Sequence, residues 1–187
     1  MRSIYKIVVC SLLTLSITSC EKDLLEKEQY QKEIYLIGAY NRVWTTEVSY
    51  SNEEVKTYFT VSSSGTLALD RDVNVKMKIN EELVDIYNKK YWTVLNEDKY
   101  YKSLDTDLYS IPSLENTVIK HAEGISAEVP VLIKTASLKI DQSYVIPVEI
   151  ESTTGYPISE SGYKMLILLK LKNDYSGSYQ MSGHTTL

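Results

Sequence analysis

Cysteine is almost missing from this chain: 187 residues hold two, Cys10 and Cys20. Both lie in the first twenty positions, so the rest of the chain has no disulfide, thiolate metal site or cysteine nucleophile. Histidine is equally scarce. His121 and His184 are far apart, and no His-Glu-x-x-His motif is present. Seven glycines are scattered without a phosphate-cradling loop or a Gly-x-Ser-x-Gly elbow. Basic residues are in the minority, 20 against 25 acidic, for a net charge of −5. That balance disfavours nucleic acid, whose phosphates need Lys and Arg, and disfavours anionic lipid surfaces. No apolar run reaches the roughly 20 residues of a membrane span.

The start of the chain is more specific. Arg2 and Lys6 precede an apolar run, Ile7 to Ile17, and then come Thr18, Ser19 and Cys20. A basic start, a short apolar stretch and small residues at a cut make a secretory signal peptide over 1–19. Ile17-Thr18-Ser19-Cys20 resembles the bacterial lipobox, which assigns Cys20 as the lipidation site. Each buried methylene of an acyl chain contributes roughly 0.8 kcal/mol, so several chains on one residue anchor stably. Taking Arg2 and Lys6 from the 20 basic residues leaves 18 against 25 acidic, a net −7 for the chain after cleavage. Glu21-Lys22-Asp23 is similar to the acidic tract that sends lipoproteins to the outer surface in Bacteroides-type bacteria. The expectation is an outer-membrane lipoprotein facing the cell exterior, with residues 20–33 as a lipidated tether.

Beyond the tether the pattern is that of strands. Ile34-Tyr35-Leu36-Ile37, ended by Gly38, reads as a first strand, Val43 to Tyr50 as a second and Thr57 to Val61 as a third. Val73, Val75, Met77 and Ile79 alternate with Asn74, Lys76 and Lys78, a period of two with one wet and one buried face. One helix interrupts over about 80–90. Asn80 serves as N-cap, Glu81 and Glu82 suit the positive end of the helix dipole, and Leu83, Val84, Tyr87 and Tyr91 share a face. The helix is expected to cover one end of the sheets. Residues 92–116 are irregular. Further strands follow at Thr117 to Lys120, Ile125 to Ile133, Tyr144 to Ile150 and Tyr163 to Leu171. Many short strands with little helix predict a mainly β fold, an immunoglobulin-like antiparallel β-sandwich with one short helix over residues 34–172.

Sixteen tyrosines against two tryptophans and one phenylalanine is a lopsided aromatic content. Tyrosine suits half-exposed sheet faces and interfaces, and cross-strand packing accounts for most of it. A sugar platform needs exposed aromatics beside polar groups. Trp92, Tyr100 and Tyr101, near Asn96-Glu97-Asp98, are the candidate ligand-binding residues. Trp44 is expected in the core. Asp105 with Asp107, and Asp70 with Asp72, offer oxygens suited to Ca²⁺. Neither pair has the glycine or later Glu of an EF-hand loop, so no metal site, cofactor or catalytic residue is assigned.

The order of motifs resembles a family of N-terminal β-sandwich domains of unknown function from Bacteroides-type surface lipoproteins. The residues concerned are Val84-Asp85-Ile86-Tyr87-Asn88, Leu108-Tyr109-Ser110-Ile111-Pro112, Ile119-Lys120-His121-Ala122-Glu123-Gly124 and Tyr144-Val145-Ile146-Pro147-Val148. Tyr175-Ser176-Gly177-Ser178-Tyr179 is similar to the opening of a second domain in that family, so 173–187 is expected to be a tail resembling the start of a second, missing domain, the alternative being that the tail adds to this sandwich. The resemblance implies a non-catalytic surface module accessory to glycan capture in a polysaccharide-utilisation system. Its implied partners are the membrane through lipid, a glycan and other surface lipoproteins, with no nucleic acid. The alternatives are an adhesive, fimbrial-type subunit or a spacer for an absent catalytic domain.

Overall fold

The structure is a computed structural model and describes residues 27–172 and Gly183. Cys20, the signal peptide and the tail from 173, apart from Gly183, lie outside the described residues. Ten strands form two sheets. The strands are β1 (Ile34–Leu36), β2 (Val43–Ser49), β3 (Glu54–Ser63), β4 (Val73–Ile79), β5 (Lys102–Ser103), β6 (Tyr109–Ser110), β7 (Thr117–Ile119), β8 (Ser126–Lys134), β9 (Tyr144–Thr153) and β10 (Lys164–Lys172). Helix α1 (Glu82–Tyr91) follows β4. One sheet has the order β1-β3-β8-β6 and the other β2-β10-β9-β4-β7, with β5 pairing the remaining stretch of β9. The pairs are antiparallel except β2 on β10 and β5 on β9. Over the described residues the protein is therefore a mainly β sandwich with one regular helix.

The core follows from alternation. Phe59 and Val61 on β3 and Val129, Val131 and Ile133 on β8 face Val73, Val75 and Met77 on β4 and Ile146 and Val148 on β9. In β4 the intervening Asn74, Lys76 and Lys78 are exposed, with Lys76 and Lys78 paired to Glu151 and Glu149 on β9. Strand β10 differs because both its faces are covered. Met165, Ile167 and Leu169 point into the sandwich, while Leu166 points outward to a second cluster with Val145, Leu83 and Val84. This is why β10 reads as a continuous apolar run.

Helix α1 thus lies on the outer face of the six-stranded sheet, held by Leu83 and Val84, and does not cap an end of the sandwich. It starts two residues later than expected. The N-cap position falls on Glu81, whose side chain makes no capping bond, one residue after the expected Asn80; Asn80 Oδ1 accepts the Glu82 N–H at 3.2 Å. Trp44 corrects an expectation. It lies on edge strand β2 and is 38% exposed, its ring resting over Gly38 instead of entering the core. A Cβ on Gly38 would come within 2.5 Å of that ring, and its φ of 89° is one that L side chains rarely adopt, so glycine is required there twice over.

Candidate functional site

Three segments distant in sequence meet where α1 crosses β10. The first is the turn Gly38 to Arg42, a short 3-10 helix closed by Arg42 N–H donating to the Ala39 carbonyl at 2.8 Å. The second is the outer face of α1. The third is the loop 159–163 entering β10. That loop is tied to the opposite sheet, since Ser159 N–H donates to the Ile34 carbonyl and Leu36 N–H to the Gly162 carbonyl, both at 2.9 Å. Gly162 sits against Tyr35, where a Cβ would come within 2.6 Å.

Between these segments lies a groove of about 260 Å³. Leu83, Met165 and Leu166 form its apolar floor, and Tyr40, Tyr87, Tyr91 and Tyr163 its walls. Tyr40 stands 87% exposed at the tip of its turn and Tyr91 is 48% exposed. Tyr87 is half-buried, with ring centroids 4.4 Å from Tyr91 and 5.2 Å from Tyr101. Burial, with the neighbouring Tyr101 and Tyr91 hydroxyls, pushes the Tyr87 hydroxyl up to about 12, so it stays a neutral donor.

Charge enters at the rim. Arg42, Lys90 and Lys164 line the groove together with one carboxylate, Glu160. Lys90 Nζ lies 5.2 Å from the Tyr91 ring centre and Lys164 Nζ 4.7 Å from that of Tyr163. A ring face holds a cation without neutralising it. The Arg42 guanidinium and the Glu160 carboxylate form no hydrogen bond or ion pair among the described residues. Arg42 is also the one non-glycine with positive φ among the described residues, at φ 64° and ψ −21°. Its carbonyl accepts the Leu166 N–H at 2.8 Å, which locks this conformation onto β10. Strain of this kind persists where the surroundings over-determine it and concentrates at functional sites.

None of the sequence-derived candidates lines this groove. Tyr101 stands behind its wall, stacked on Tyr87 at an interplanar angle of 11°. Tyr101 is fixed by buried Asn88, which donates from Nδ2 to the Tyr101 carbonyl and accepts the Tyr101 N–H at Oδ1, each at 2.9 Å. Trp92 is half-buried with Lys99 Nζ 5.7 Å from its ring centre, and its Nε1 has no hydrogen-bond partner among the described residues. Tyr100 is half-buried at the end of the turn Val94–Lys99. Sequence reasoning named Tyr87 and Tyr91 for their helix face but missed Tyr40, Arg42 and Tyr163. The available signal was the i, i+4 tyrosine pair with Lys90 beside it, more aromatic surface than docking α1 requires.

The acidic pairs weighed for Ca²⁺ are placed clearly. Asp70 is clasped by Arg71 and by the Tyr156 hydroxyl, which hold its carboxyl far below the usual range. Asp72 accepts from the His121 backbone and meets its ring at 2.6 Å. Asp105 and Asp107 are exposed, and no group of three or more metal-ligating side chains occurs among the described residues.

A family model described as an N-terminal domain matches residues 30–157. No curated protein sequence matches significantly. Solved structures from Bacteroides share the fold. A multidomain protein of Bacteroides ovatus that includes DUF1735 is 20% identical with a TM-score of 0.58, covering 73% of this chain and 43% of its own. A candidate carbohydrate-binding protein of Bacteroides ovatus is 19% identical with a TM-score of 0.57, covering 73% of this chain and 36% of its own. An auxiliary nutrient-binding protein of Bacteroides thetaiotaomicron is 17% identical with a TM-score of 0.59, covering 75% and 47% respectively. The chain spans less than half the length of each.

Proposed function

Given that the chain belongs to this family of N-terminal domains, we propose that it is a non-catalytic glycan-capture module, carried on the cell surface by lipid on Cys20 and accessory to polysaccharide utilisation. The single observation that carries the proposal is the tyrosine-walled groove between α1 and β10. Tyrosine faces stack on sugar rings, and their hydroxyls, Glu160 and the rim cations supply polar contacts that fix orientation. The groove is slightly smaller than the roughly 300–1,000 Å³ of drug-sized sites, which suits one or two sugar units of a longer chain. Carbohydrate-binding and nutrient-binding names among the Bacteroides neighbours support the same reading. Trp92, Tyr100 and Tyr101 are secondary contacts for sugar units beyond the groove.

The basic start, apolar run and lipobox support export and lipidation. The test of glycan capture is isothermal titration of the purified full chain against a panel of plant and host oligosaccharides. Wild type is expected to bind at least one member, and Tyr40→Ala to weaken that binding tenfold or more. Tyr40 is so exposed that its truncation is expected to leave the fold intact. Equal binding by wild type and Tyr40→Ala would remove the groove from the account.

A further inference from the structure

The rim of the groove carries a charge opposite to that of the protein. The chain is net −5, yet Arg42, Lys90 and Lys164 all line the groove, with Glu160 as the only acidic side chain lining it among the described residues. Elsewhere on the described surface Lys76, Lys120, Arg71 and Lys172 are matched with carboxylates, while Lys56 and Lys99 rest singly on aromatic rings. In the groove the two lysines rest on tyrosine rings, and the Arg42 guanidinium has no partner among the described residues. What sets the groove apart is that three cations without a carboxylate partner share one recess, and that Arg42 is held there in a backbone conformation other side chains avoid.

We propose that the groove selects an acidic sugar: a residue of the captured glycan that bears a carboxylate or sulfate. The sugar ring lies against the tyrosines while its anionic group meets the fork of Arg42, with Lys164 or Lys90 as the second cation. A guanidinium presents planar paired donors to a carboxylate or sulfate. Glu160 then accepts from sugar hydroxyls on the opposite side. This inference rests on the reading of the groove as a glycan site and specifies what that site prefers.

The experiment pairs acidic oligosaccharides with neutral counterparts of the same linkage. Trigalacturonic acid is set against its methyl ester, sialyllactose against its methyl ester, and a sulfated chondroitin disaccharide with its carboxyl esterified against the unsulfated ester. The full chain, Arg42→Ala, Lys164→Ala and Tyr40→Ala are titrated at low and high NaCl. The expected result is tenfold or tighter binding of at least one acidic member over its neutral partner at low salt. That preference should shrink at high salt and collapse in Arg42→Ala and Lys164→Ala. The carboxylate and sulfate arms distinguish which anion is preferred. Equal binding of acidic and neutral partners, with loss of both in Tyr40→Ala, would overturn the acidic preference and leave the glycan site standing. Absence of binding to every member would overturn both. Thermal melts of each variant separate lost binding from lost fold.

Discussion

In the proposed acidic-sugar site Arg42 links stability and recognition in one residue, and replacing it separates the two. Its φ of 64° places Cβ where L residues are crowded, and its ψ of −21° lies outside the left-handed centre. That conformation costs an ordinary residue roughly 1–2 kcal/mol. Glycine escapes the cost but gives up about 0.5–1 kcal/mol through the greater freedom of its unfolded chain. Both backbone bonds of residue 42, to Ala39 and from Leu166, survive either substitution. Arg42→Gly should therefore exceed Arg42→Ala in stability by about 0.5–1 kcal/mol, or about 1–4 °C in Tm for a domain of this size. Calorimetry on the two variants and the wild type reads the difference directly. Both variants should also lose preference for acidic glycan, since both lack the guanidinium. The reasoning is refuted if Arg42→Gly melts below Arg42→Ala, or if the more stable variant keeps wild-type preference.

Other outcomes follow from separate parts of the molecule. Asn88→Ala strands the buried N–H and C=O of Tyr101, at about 2–4 kcal/mol; chemical denaturation measures the loss, and glycan affinity should fall with it because Tyr87 loses its stacked support. Tyr87 and Tyr109 are both pushed up to about 12 by burial, so the native state holds these protons more tightly than the unfolded chain. Their contribution is complete below about pH 10 and is lost as pH rises towards 12, so Tm should fall across that window and two tyrosines should ionise late by ultraviolet titration. Tyr109→Phe removes a buried hydroxyl that lacks a partner among the described residues, and should leave stability at neutral pH unchanged or raise it by up to about 1 kcal/mol. Cys20→Ser should move the protein from the membrane fraction to the soluble fraction and abolish labelling by radioactive palmitate; retention in the membrane would sink the lipid-anchor reading.

Much of the fold was legible because single strands carry their own pattern. The alternation of Val73 to Ile79 reproduces the strand boundaries of β4, and the Asn80 contact to the Glu82 N–H and the apolar face of α1 are local properties. Trp44 shows where local reading fails. Its strand is an edge pairing in parallel with β10, so one flank is open, and the ring finds Gly38 instead of the core. The groove was less legible for a related reason. Its parts come from residues 38–42, 83–91 and 160–166, brought together by the pairing of Val43 with Leu166 and by the bonds from Ile34 and Leu36 to the 157–162 loop. No periodicity in one sequence encodes which strands become neighbours. The left-handed backbone at Arg42 has no signature either, because it is imposed by the turn and by β10. The irregular stretch 92–116 drew attention to Trp92, Tyr100 and Tyr101 through composition alone, and of these only Tyr101 touches a wall of the groove.

The central claim is that this groove is where glycan binds. Hydrogen–deuterium exchange on the full chain, with and without the tightest-binding oligosaccharide of the panel, locates the contact without any mutation. Added protection is expected in residues 38–43, 83–91 and 160–166 and none on the β3–β8 face. Protection confined to the β3–β8 face, or to residues 92–101, would contradict it.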